Sequence, residues 1–139
     1  MNPLRSVAAV LAGVLVFAFM DNVLEFSIVH VLARGPVTDL VAYYAARNQP
    51  LGLAAKLTYT PFIGILAGYL TAKIAGRYEV AHTAAAAALL VSELGYGFTK
   101  GQFASMTPVW MRLALIVITP VAIALGGFVR ARAAQLEKE

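Results

Sequence analysis

The chain has 139 residues, of which 60% are hydrophobic and 13% charged, and its mean hydropathy is +0.77. An ordinary soluble domain carries about 25% charged residues, and one of this length lacks an interior able to hide so much apolar surface, so a lipid bilayer is the expected solvent. The net charge of +4 does not signal nucleic acid, because the basic residues stand at the ends of apolar runs rather than in one patch. With no cysteine, the chain has no disulfide, thiolate metal site or cysteine nucleophile.

Four apolar runs follow in order, each near the roughly 20 residues a helix needs to cross the hydrocarbon core. The first covers residues 7–32. It opens like a signal peptide, but it has no small-x-small cleavage site before Asp21 and its apolar character resumes afterwards, so a retained transmembrane helix is expected. In "ARGPVTDLVAYYAARNQP", Pro36 ends that helix and Thr38 is the expected cap of a short amphipathic segment, 38–47, that Pro50 closes. Tyr43 and Tyr44 suit that segment to the headgroup layer. The second run is 51–74. The third, 81–98, is the shortest and least apolar, and Ser92 and Glu93 argue for a place inside a bundle. The fourth is 108–129, followed by a polar tail, 130–139. The expected fold is a single all-α domain, a polytopic membrane protein built as an up-down four-transmembrane-helix bundle. With four spans, Arg5, Lys73, Arg77, Arg130, Arg132 and Lys138 share one side, which the positive-inside rule assigns to the cytoplasm with both termini.

Small residues recur at four-residue spacing. Gly64, Gly68, Ala72 and Gly76 form such a series in the second run, Ala84, Ala88 and Ser92 in the third, Ala122 and Gly126 in the fourth, Ala9 and Gly13 in the first. This spacing lets membrane helices approach closely. It fits packing inside one bundle, and it also fits a homo-oligomer or a partner subunit. Pro61 and Pro120 each remove a helical hydrogen bond and are expected to kink their helices.

The ionisable residues of the runs fall into one layer. Asp21 and Glu25 lie about 40° apart on one helix face, with Asn22 beside them. Antiparallel connectivity brings Glu25, Lys56, Glu93 and Arg112 toward one level, with Asp21 deeper and with Tyr59 and Tyr96 as hydrogen-bond donors nearby. Carboxylates are short and cannot snorkel outward as Lys and Arg do. Three acids, Asp21, Glu25 and Glu93, then face two bases, Lys56 and Arg112. The surplus negative charge calls for a proton or a bound cation. Three readings stay open: a buried ion-pair network that fixes helix register, a proton or cation site, and a site for an anionic or amine-bearing ligand.

His30 is about 140° around the helix from Glu25, so the two are not a same-face ligand pair. His30 is the one residue that suits an axial haem or pigment ligand. His82 opens the third run on the other side, so no metal site and no cofactor are expected. The chain has no phosphate-binding glycine loop, HExxH, CxxC or GxSxG. An enzyme is not expected.

The segment "KLTYTPFIGILAGYLTAKIAGRYEVAHTAAAAALLVSE" resembles a family of small bacterial four-span membrane proteins without an assigned activity. The resemblance rests on an acid late in the first helix (Asp21), a basic residue and a tyrosine early in the second (Lys56, Tyr59), the stretch Gly68, Tyr69, Leu70, Thr71, Ala72 and Lys73, and a histidine opening the third (His82). Where that family commonly has arginine this chain has Lys56, which removes bidentate pairing with a carboxylate. The resemblance implies the four-span fold and a bacterial inner membrane. The leading expectation is a non-catalytic accessory or structural subunit of a larger membrane complex, or a homo-oligomer. Its partners are then the bilayer and other membrane subunits or itself, and no nucleic acid. The alternative is a small proton- or cation-coupled transporter or channel that uses the intramembrane carboxylates.

Overall fold

A computed structural model describes residues 3–101 and 104–136. Lys138 and the rest of the tail end lie outside the described residues. Five α-helices follow in chain order: α1 (Pro3–Ala33), α2 (Leu40–Arg47), α3 (Pro50–Ala75), α4 (Glu79–Lys100) and α5 (Val109–Leu136). One 3-10 turn, Ala104–Met106, precedes α5, and the described residues contain no strand. The protein is all-helical, and α1, α3 and α5 are long and apolar enough to cross a membrane. Helix α4 has the length, but His82, Thr83, Ser92 and Glu93 among its alanines leave it less apolar.

The outer surface carries the same message. Leu4, Val7, Leu11, Leu15, Phe19, Val23 and Phe26 run as an exposed apolar stripe along α1, and Val109, Leu113, Val117, Val121, Leu125 and Phe128 do so along α5. Contiguous apolar faces of that extent are uncommon on soluble monomers. They suit hydrocarbon, and the fold is that of a membrane protein.

Local chemistry sets the helix ends. The Asp39 carboxylate accepts from Ala42 N at 2.8 Å, so the cap of α2 is Asp39 rather than Thr38. Pro50 does not close α2 but opens α3, at the first helical position where its missing N–H costs nothing. Gly76 ends α3 at φ 66°, a left-handed conformation that glycine adopts freely. The last member of the glycine series is therefore a C-cap against the Arg5 side chain, not a packing residue. Arg5 Nε donates to Ile74 O at 2.7 Å and ties the start of α1 to the end of α3. Helices α3 and α5 continue through Pro61 and Pro120, and α5 runs on into the tail as far as Leu136.

Helix α3 is central, packed on α1, α5 and α4. It runs antiparallel to α1: Gly13 meets Ala67 and Thr71, Asp21 meets Lys56, and Leu32 meets Gly52. It runs parallel to α5, where Gly64 and Gly68 meet Ala122 and Ile123, and Gly126 meets Ile65 and Tyr69. A Cβ on Gly68 or Gly126 would strike the facing backbone, so these glycines allow the two helices to touch. Ala72 is fully buried. In α4 the buried residues are His82, Thr83, Ala86, Ala87 and Leu90, and Ala84, Ala88 and Ser92 face outward. Gly76 apart, the small-residue series of α1, α3 and α5 pack within the chain, and that of α4 does not. Phe17, Ile63, Ala67, Ala87, Leu90 and Ile123 close the apolar core beside the polar layer.

Candidate functional site

The polar layer forms where α1, α2 and α3 meet. Lys56 is buried, and its ammonium lies 2.7 and 2.6 Å from the two oxygens of Asp21 and 2.7 Å from Glu25 Oε2. The i,i+4 spacing of Asp21 and Glu25 delivers both carboxylates to one cation, which removes their mutual repulsion. The Tyr59 ring sits 5.4 Å from the same ammonium, within cation–π range.

The second cation is Arg47, at the end of α2. Its Nε lies 3.1 Å from Glu25 Oε1, an ion-pair distance without hydrogen-bond alignment. One of its terminal nitrogens donates to Thr107 Oγ1 at 2.9 Å, and its guanidinium lies over the Tyr44 ring at 5.5 Å. Tyr43, one helical turn earlier on α2, donates to Glu25 Oε1 at 3.1 Å. Burial, and then the nearby Glu25 carboxylate, raise the Tyr43 phenol above its ordinary pKa. Asn48 Nδ2 donates to Met106 O and closes the same end of the molecule. A short helix expected to lie free in the headgroup layer is thus fastened to α1 and to the turn before α5.

This corrects the charge count. Asp21 and Glu25 face Lys56 and Arg47, so the cluster is balanced. Arg112 is not part of it: its guanidinium donates to Phe98 O at 3.1 Å, near the C-terminal end of α4, where free carbonyls attract a cation. Glu93, expected with Ser92 inside the bundle, is exposed as Ser92 is, and it makes no ion pair with any described residue. Asn22 turns back to Ala18 O at 2.7 Å and does not reach the carboxylates. The Tyr59 hydroxyl is buried without a hydrogen-bond partner among the described residues, and Tyr96 is 70% exposed. His30 and His82 each bond through Nδ1 to the carbonyl four residues back, Phe26 O at 2.9 Å and Tyr78 O at 2.8 Å. Among the described residues no three His, Asp or Glu side chains converge as a metal would require.

A cavity of about 530 Å³ opens beside the cluster, with walls from all five helices. Asp21, Glu25, Arg47 and Lys56 line it from α1, α2 and α3, and Leu90, Glu93, Leu94 and Gly97 line it from α4. Two Thr-Pro pairs, Thr60-Pro61 and Thr119-Pro120, stand on the parallel helices α3 and α5, and both threonines line the cavity. Thr60 Oγ1 donates to Lys56 O at 2.7 Å, whereas the buried Thr119 hydroxyl has no partner among the described residues. Charged, hydrogen-bonding and apolar side chains therefore converge on a space of ligand size.

No protein-family model, curated protein or solved structure matches the chain. Fold and site together define a class, a small helical membrane protein with a charge-balanced buried cluster beside a cavity.

Proposed function

We propose that the chain is a non-catalytic, four-span protein of a bacterial inner membrane, with α1, α3, α4 and α5 as an up-down bundle and both termini in the cytoplasm. Its ion-paired cluster is structural, and the protein acts as an accessory subunit of a larger membrane complex or as a homo-oligomer. The observation that carries this reading is the balance of the cluster: each carboxylate of the α1 pair is met by a buried cation from another helix of the same chain. Such a network fixes register and leaves neither carboxylate of the α1 pair free for transport. The outward small-residue ridge of α4 supplies a face for close helix contact. The antiparallel packing of α4 on α5, in which Thr83 meets Gly127 and Phe98 meets Arg112, supports a fourth span.

A second reading is favoured by the cavity. A space of about 530 Å³ against the carboxylates suits a small proton- or cation-coupled transporter. Proteoliposomes and mild-detergent purification separate the two. The subunit reading expects no proton or cation flux and recovery with a partner or as a defined oligomer. Flux lost on Asp21→Asn establishes the transporter instead, and a lone monomer without flux overturns both. The absence of native cysteine makes topology direct to test. Single cysteines at Arg77 and Gln135 label from the same side if α4 spans, and from opposite sides if it does not.

A further inference from the structure

The cluster neutralises itself, so the charge that the cavity offers to a ligand comes from elsewhere. Of the ionisable residues on its wall, Asp21, Glu25, Arg47 and Lys56 are consumed in ion pairs, and Glu93 is left. The cavity therefore carries one uncompensated negative charge. A hydrogen-bonding group lines the same cavity. Helices α4 and α5 run antiparallel with Gly127 against Thr83 and Arg112 against Phe98, which sets Glu93 level with Val117 and within a turn of Thr119. The Thr119 side chain is 1% exposed and lines the cavity, and its hydroxyl has no partner among the described residues. A buried hydroxyl without a partner is a costly arrangement that a bound donor relieves. Phe17, Leu90, Leu94 and Leu115 supply apolar wall, and Tyr96 and Phe98 add aromatic faces able to hold a cation.

Gly97 lies on the same wall. Glycine inside a helix costs about 0.5–1 kcal/mol relative to alanine. At Gly64, Gly68 and Gly126 a facing helix explains it, but a Cβ on Gly97 would meet no atom within 4 Å. Gly97 lines the cavity, so here the missing side chain leaves room rather than allowing contact.

We propose that this cavity binds a protonated amine with an apolar body, the ammonium held between the Glu93 carboxylate and the Thr119 hydroxyl and the body seated along Gly97. The volume lies within the 300–1,000 Å³ range of small-molecule sites. The carboxylate supplies charge, the hydroxyl accepts an N–H, and the apolar walls select against small hydrated ions. The site uses none of the ion pairs, so it stands whether the chain is a subunit or a transporter.

The test uses the full chain in nanodiscs, empty nanodiscs as the partition control, and equilibrium dialysis of three probes that differ only in head group: 4-phenylbutylamine, its N,N,N-trimethylammonium analogue and the corresponding alcohol. Saturable binding is expected in the order amine, trimethylammonium, alcohol. Glu93→Gln weakens the amine at least tenfold, toward the alcohol. Thr119→Val removes the amine's advantage over the trimethylammonium probe. Gly97→Leu, at a position with open space around it, fills the cavity and abolishes saturable binding while the helical circular dichroism spectrum is kept. In discs containing phosphatidylethanolamine, displacement of the amine identifies that lipid's headgroup as an occupant, and undiminished binding identifies a free amine. Equal uptake of the three probes, or amine binding unchanged by both Glu93→Gln and Gly97→Leu, overturns the proposal.

Discussion

Removing the Lys56 ammonium isolates what the cluster contributes. In Lys56→Met, Asp21 and Glu25 keep their positions on α1 with Arg47 as the only cation, so one buried negative charge is unmatched. Breaking a buried pair in this way costs about 3–5 kcal/mol. The side chains of Asp21 and Glu25 retain 21% and 18% of their exposure, which allows partial hydration and sets the expected loss near the lower end, about 3 kcal/mol. Adding Asp21→Leu removes the unmatched carboxylate and leaves Glu25 with Arg47 and Tyr43. The double variant is expected to regain about 2 kcal/mol, since what stays lost is mainly one ion pair and the ammonium's contact with the Tyr59 ring. The assay is reversible unfolding by sodium dodecyl sulfate in mixed micelles, followed by circular dichroism and by the single tryptophan, Trp110. If single and double variants agree to within about 0.5 kcal/mol, the usual limit of additivity for independent sites, Lys56 is not paired with Asp21 and the cluster is misassigned.

Arg47→Met is expected to release α2, read as faster hydrogen exchange over 40–47 with little change in the core of α3. Gly68→Ala drives a methyl group into the Ile123 carbonyl and is expected to destabilise by about 1–3 kcal/mol, whereas Gly95→Ala, with nothing within 4 Å, is expected to be neutral or to stabilise by up to about 1 kcal/mol in the same unfolding assay. Alkaline pH tests Tyr43. Because its folded pKa is raised above the unfolded value of 10.0, its contribution is complete below that value and is lost as pH rises from there through the folded pKa. Tyr43→Phe therefore narrows the loss of stability between pH 9 and pH 11, and an unchanged slope refutes the raised pKa that burial and Glu25 give this phenol.

Lys56 between Asp21 and Glu25 is legible from spacing and connectivity alone. Two acids four residues apart late in one helix and a lysine early in the next antiparallel helix have few other places to go. The glycine faces of α3 and α5 are legible for the same reason, since the four-residue period marks a helix surface whatever it packs against. Arg47 is not legible in that way. It lies in a short connecting segment, and nothing local shows that α2 folds back so that its i,i+4 pair, Tyr43 and Arg47, reaches Glu25. The misassignment of Arg112 has a related cause. Depth along a helix says which residues share a level, but not whether a guanidinium will choose a carboxylate or a carbonyl at the end of a neighbouring helix, as Arg112 does with Phe98.

These two exchanges of partner alter what the layer means. Counted with Arg112 and Glu93, it carries a surplus carboxylate that any of three acids might own. With Arg47 inside and Arg112 elsewhere, the α1 pair is neutralised and the surplus belongs to Glu93 alone, on the wall of the same cavity. A transported proton or metal ion would need Asp21 or Glu25 to leave two short ion-pair contacts, which a low-dielectric interior makes expensive. An ammonium at Glu93 disturbs neither. The same geometry that makes the α1 carboxylates poor carriers therefore makes Glu93, the unpaired carboxylate of the cavity wall, the natural point of contact for a ligand. The two roles separate by mutation: Lys56→Met is read in stability, and Glu93→Gln in binding.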